Sequence, residues 1–414
     1  MSKPLTYADI LLSLPVDDTL KTFLERHALP LPAGWEWSDN TATSRRLIRL
    51  VQSHPETALR DRIVAGLHAS ASLAHPLGKQ ALFQAAHERA AELMGLIACK
   101  SDLHRAFWLY VHHPDLFDAA AEIEYLDHHE PQAQHHDLGI SRPVLQEEEA
   151  LAAFAEAIKG FYQRELGCGE VCVVNLLERA RGTQLISVHA KDLATARLEF
   201  EGSQLQRRVG SPNIHMALEY SPATGVARTI IRGGARYHAM LCDAFARHLL
   251  GANTDAQRIL APRLDLSGLR LGLNVPQAIE DGFVAMQVKN VVVVSECGRL
   301  KMECVASAVS DQRCVTELLK DYFGADNPLK RGWSIQAATL NFYLAPEPGR
   351  SRCSVVSIEV TSRGRLNLHK FDEKLRAQLE GYLVQLGILQ DQQVLKPSGI
   401  ATPPGRTLHS DLFG

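Results

Sequence analysis

At 414 residues, with 46% hydrophobic and 22% charged residues, the chain is too long for one hydrophobic core, and its composition excludes a disordered or fibrous protein. Its net charge of −3 excludes a protein whose whole surface binds polyanions, leaving only local basic faces. No apolar run reaches the roughly 20 residues of a membrane-spanning helix, and Met1, Ser2, Lys3 and Pro4 do not resemble a signal-peptide start, so a cytoplasmic location is expected. The eight cysteines mostly lie inside apolar runs and read as reduced core thiols.

Apolar residues spaced three and four apart predict helices over 44–52, 56–72, 81–100, 103–111 and 114–126. Pro55 and Pro114 fall at helix starts, although histidines rather than capping residues precede them. Residues 127–144 are polar and histidine-rich and contain Pro131 and Pro143, which predicts an exposed loop before a further helix over 145–165.

Beyond residue 166 the period becomes that of strands, at 171–177, 184–189 and 196–200. Two runs, 214–220 and 226–231, flank Ser221, Pro222, Ala223, Thr224 and Gly225, which predicts a hairpin. Tyr237, Leu241, Phe245 and Leu249 recur four apart and end at Gly251, predicting a helix. Strands follow at 284–294, 300–306, 334–344 and 354–361, with helices at 315–323 and 371–386.

The expected fold class is therefore α+β. It comprises a helical domain over 1–165, two units of largely antiparallel strands followed by a helix over 166–269 and 270–388, and a flexible tail over 389–414.

Histidine is the most conspicuous chemical feature. Seven histidines lie between His104 and His136, interleaved with carboxylates, and this is the ligand set of zinc, iron and manganese. His113, Asp115, Asp127, His128 and His129 are the candidate ligands of a divalent transition metal, set against the plainer reading of a solvated polar loop without a cofactor. Asp127, His128 and His129 also resemble the triplet of the DHH phosphoesterases, and His113, Pro114 and Asp115 resemble that family's earlier metal-binding segment. The resemblance implies a metal-dependent phosphoesterase, but that family separates the two motifs by many residues and places each after a strand. Here both fall within one helical region.

No glycine-flanked nucleophilic serine, phosphate-binding loop or dinucleotide-binding glycine pattern is present. Charge is uneven: residues 102–165 carry 13 acids against 4 Lys/Arg, whereas residues 178–301 carry 11 acids against 16 Lys/Arg. Arg207, Arg208, Arg228, Arg232 and Arg236 are accordingly candidates for nucleic-acid contact. At the C-terminus Asp411, Leu412 and Phe413 resemble the end of the bacterial sliding-clamp-binding pentapeptide, with His409 and Ser410 departing from its usual pattern. They form a candidate partner-binding segment.

These features favour a non-catalytic binding or regulatory subunit of a bacterial multi-protein system, with roles in nucleic-acid transactions or phage defence as the expected settings. The alternatives are a metal-dependent hydrolase using the cluster at 104–137 and a nucleic-acid-binding protein using the basic strand region. A protein partner is expected, and no membrane.

Overall fold

The computed structural model describes residues 5–179, 182–201, 204–260, 264–271, 283–307, 313–330, 332–345, 353–371 and 373–389. The fold is α+β, and the chain divides into two compact units, with the boundary between Arg258 and Ile259. Among the described residues no helix is long and apolar enough to cross a membrane.

The N-terminal unit begins with eight helices: α1 (Tyr7–Ser13), α2 (Asp18–Arg26), α3 (Thr41–Ser53), α4 (Thr57–Ala71), α5 (Pro76–Ala85), α6 (Ala90–Ala98), α7 (Asp102–His112) and α8 (Pro114–His128). The first two lie outside the helices that periodicity predicts; Thr6 and Asp17 cap them by accepting hydrogen bonds from the first-turn amides. The single helix expected over 81–100 is two, broken at residues 86–89. Pro114 opens α8 at its first turn without a side-chain cap, as its missing N–H permits.

The strands β1 (Gln134–Asp137), β2 (Cys172–Glu178), β3 (Gln184–Lys191), β6 (Asn213–Ser221), β7 (Val226–Ile230) and β8 (Gln257–Ile259) form one six-stranded sheet in the order β2-β3-β6-β7-β1-β8. Two further strands, β4 (Thr195–Glu201) and β5 (Gln204–Gly210), make a separate antiparallel ribbon. Helices α9 (Glu148–Leu166) and α10 (Ala235–Leu249) complete the unit.

The expected loop at 127–144 is thus only partly a loop. α8 continues to His128, and β1 pairs antiparallel with β7, placing His135 opposite Arg228 and His136 opposite Ala227. A four-residue strand of sequence Gln-His-His-Asp has no apolar period of its own, so only the neighbouring strand defines it.

Strand alternation sorts the sheet's residues between two layers. Ile186, Val188, Met216, Leu218 and Tyr220 pack with α9 and α10 on one face. Leu185, Ala217 and Ile230 pack with α5, α7 and α8 on the other. The helical region and the strands after residue 166 therefore share a core within one unit. On the α8 face the same alternation also places Ser187, His189, His215, Glu219 and Arg228, and this is where the chemistry gathers.

The predicted hairpin forms as β6 and β7, with Tyr220 facing Ala227 across the ladder. Gly225 adopts φ +71°, and a Cβ there would lie 2.6 Å from the Ile140 carbonyl oxygen. Strain and collision act together, so Gly225→Ala is expected to lower stability by about 1–3 kcal/mol, measured by urea unfolding.

The C-terminal unit contains β9 (Phe283–Val294), β10 (Lys301–Val305), α11 (Val315–Phe323), β11 (Ser334–Leu344), β12 (Ser354–Thr361) and α12 (Glu373–Gln385). Its strands form a single antiparallel sheet ordered β10-β9-β11-β12. Val288, Val291, Val293, Leu340, Phe342, Ile358 and Val360 pack one core with Leu319, Leu379 and Leu383 of the helices.

Candidate metal centre

The α8 face of the sheet brings three potential ligands together. His189 of β3 and His215 of β6 are direct cross-strand partners, so both imidazoles project from the same face, with ring centroids 4.3 Å apart. Glu122 descends onto them from α8. His189 Nε2 lies 2.8 Å from Glu122 Oε1, and His215 Nε2 lies 2.7 Å from Glu122 Oε2. The Ser187 hydroxyl, two residues before His189 on β3, donates to Glu122 Oε2 at 2.5 Å. One ligand atom from each of Glu122, His189 and His215 falls within 4.8 Å of the others, the only such convergence of metal-binding side chains among the described residues.

Burial opposes ionisation of Glu122, but hydrogen bonds from His189, His215 and Ser187 outweigh it and hold the carboxyl well below the usual carboxylate range. The same bond to Glu122, opposed by burial, raises the pKa of His189. Outer contacts fix the rings. The Asn213 side-chain amide sits 2.7 Å from His189 Nδ1, and the Tyr125 ring stacks on His215 at 3.6 Å. Such partners orient imidazole ligands. The three side chains are 17–25% exposed, and Glu122 also lines a cleft of about 570 Å³.

The five residues expected to bind metal do not converge. Asp127 is held by two guanidinium groups, accepting from Arg179 Nη2 at 2.7 Å and from Arg228 Nη2 at 2.9 Å. His128 is exposed and lies 3.4 Å from Glu124, while His129 donates to the Tyr125 carbonyl one helical turn earlier at 2.8 Å. His113 packs against Trp108, and Asp115 pairs with Arg89 at 2.9 Å. Adjacent residues on a helix diverge by about 100°, so the Asp-His-His run cannot place its side chains at one point.

The five arginines are equally dispersed. Arg207 and Arg208 stand on the exposed strand β5. Arg232 is exposed after β7, and Arg236 on α10 pairs with Glu165 at 2.6 Å. Arg228 is only 3% exposed and belongs to a buried charge network, pairing with Glu130, with Asp127, and with Glu219 at 2.7 Å. Arg179 joins that network through Glu219 at 2.8 Å, Asp127, and Gln84. A guanidinium so engaged is not available to a phosphate. Asp411, Leu412 and Phe413 lie outside the described residues.

Glu122 belongs to the acidic set interleaved with the histidines, whereas His189 and His215 lie outside that run. Their signal is an imidazole inside each of two predicted apolar strands, and it becomes meaningful only once the strands are paired. No protein-family model and no curated protein matches the chain.

Proposed function

We propose that the protein is a metal-dependent hydrolase whose centre is Glu122, His189 and His215. The observation that supports this reading is the convergence of one carboxylate and two imidazoles, from three separate elements, on one point beside an open cleft. Two histidines and one carboxylate bind zinc and leave a further position for water, whose proton the ion acidifies into the neutral range. Ser187 and Asn213 would act as the outer partners that hold the ligands. Without an ion, the same groups pin α8 to the sheet through an ionised, hydrogen-bonded glutamate.

The test is calorimetric titration of chelator-treated protein with Zn²⁺, Mn²⁺ and anaerobic Fe²⁺. One site per chain is expected, with Zn²⁺ preferred and hydrolysis of ester or phosphoester probes restored by it. Absence of any saturable site would defeat the reading. A preference for Fe²⁺ would shift it to oxygen chemistry, which uses the same ligand set.

A second reading, a binding subunit of a multi-protein system, draws on the β4–β5 ribbon. Its register places Ala196, Leu198, Phe200, Leu205, Arg207 and Val209 on one face, with Leu198, Phe200, Leu205 and Val209 54–76% exposed. An isolated two-stranded ribbon is marginal in water, and an apolar face of this kind favours a protein partner. Replacing Phe200 and Leu205 by serine is expected to remove a stoichiometric partner that co-purifies with the native chain. Retention of that partner would count against the ribbon.

A further inference from the structure

β2 ends the six-stranded sheet, so one of its edges is unpaired among the described residues. The Lys191 amide donates to the Val171 carbonyl, which sets the phase of the ladder. Cys172, Val174 and Leu176 therefore turn their N–H and C=O groups away from β3, toward the open side. Natural edges are blunted by lysine, proline or bulges. β2 has none of these, and reads Cys-Val-Val-Asn-Leu-Leu before Glu178.

The open side is also walled. The cleft that runs along β2 is lined by Val174, Asn175, Leu176 and Leu177, with Asp118 and Glu122 of α8 on one flank and Leu151 of α9 on the other. The Asp118 side chain makes no ion pair or hydrogen bond among the described residues, and burial together with Glu122 and Asp115 raises its pKa. A cation placed there would relieve this local excess of negative charge.

We propose that the free edge of β2 is a docking site for an extended peptide of another protein, one in which basic residues alternate with apolar ones. Backbone pairing supplies the attachment. The period of two sends alternate side chains to opposite walls, the basic ones to the acidic α8 wall and the apolar ones to Leu151. Charge complementarity selects this occupant over an acidic or a uniformly apolar strand. The site does not depend on a bound ion.

The test measures binding of a fluorescent alternating Lys–Val octapeptide to the full-length protein by anisotropy, with chelator present. Saturable binding is expected. It should weaken about tenfold or more on Asp118→Lys, as expected when a partly screened attraction becomes a repulsion, and should vanish when alternate peptide amides are N-methylated. The methylated probe leaves the protein unaltered, so a misfolded variant cannot mimic this loss. Equal binding of an alternating Glu–Val octapeptide, equal binding of the methylated probe, or no binding at all overturns the proposal. A self-association of the chain that the peptide disrupts overturns it too, since the occupant is then a second copy.

Discussion

Replacing Arg228 by methionine is expected to lower the stability of the N-terminal unit by about 3–5 kcal/mol, the usual cost of removing one partner from a buried ion pair. The side chain is of similar volume, so the loss reports the missing charge and its hydrogen bonds more than a cavity. Arg228 lies in the β7 ladder against Asp127, Glu130 and Glu219, and Glu219 is 1% exposed. Without Arg228, Asp127 and Glu219 share Arg179 alone, and Glu219 must be buried with part of its charge uncompensated. Arg228→Lys is expected to recover little, because a single ammonium cannot reproduce the guanidinium fork that spans three acids. Urea unfolding followed by circular dichroism measures both; a loss below about 1 kcal/mol for Arg228→Met would contradict the account.

The same network fixes the sign of an acid response. Burial disfavours ionised Glu219 and Asp127, but Arg228 and Arg179 outweigh it and hold both carboxyls below their ordinary values. A carboxyl whose folded pKa is depressed contributes stability that is complete above its unfolded pKa, about 4, and is lost as pH falls through the folded value. The wild-type unit should therefore weaken below about pH 4, and Arg228→Met should show a shallower acid loss because its carboxyls titrate closer to their unfolded values.

The second large effect concerns metal. His189→Ala and His215→Ala are each expected to abolish Zn²⁺ binding in the calorimeter, whereas Asn213→Ala, which removes only an orienting contact, should weaken it by about 10–100-fold. His128→Ala with His129→Ala should affect the affinity far less, since neither residue belongs to the converging set, and this variant separates the candidate centre from the histidine run. The reverse ranking, with the 128–129 pair essential and His189 dispensable, would refute the assignment. Loss of binding must be accompanied by retained folding, because His189 and His215 also anchor α8; a circular dichroism spectrum and a cooperative urea transition like those of the wild-type protein provide that control.

Much of the local structure is legible along the chain. The hairpin around Pro222 and Gly225, the helix from Ala235 to Leu249, and the C-terminal strands and helices lie within a few residues of where periodicity and turn chemistry place them. These signals are short-range: a turn needs its own glycine, and an amphipathic helix its own apolar stripe. β1 escaped because its four polar residues are a strand only by virtue of β7, and β5 because every one of its residues is exposed.

The candidate centre lies at the other extreme. Glu122 meets His189 across 67 residues and His215 across 93, and Arg228 reaches Asp127 across 101. Composition offers imidazole and carboxylate in abundance, but clustering along the chain points to histidines that do not converge. Neighbours on a helix diverge, while two strands in register bring distant side chains onto one face. The sequence alone therefore determines the α+β class, most of the elements and the availability of metal-binding groups. Which of those groups meet is decided by strand register and the packing of α8, because non-local pairing leaves no period in the chain that forms it.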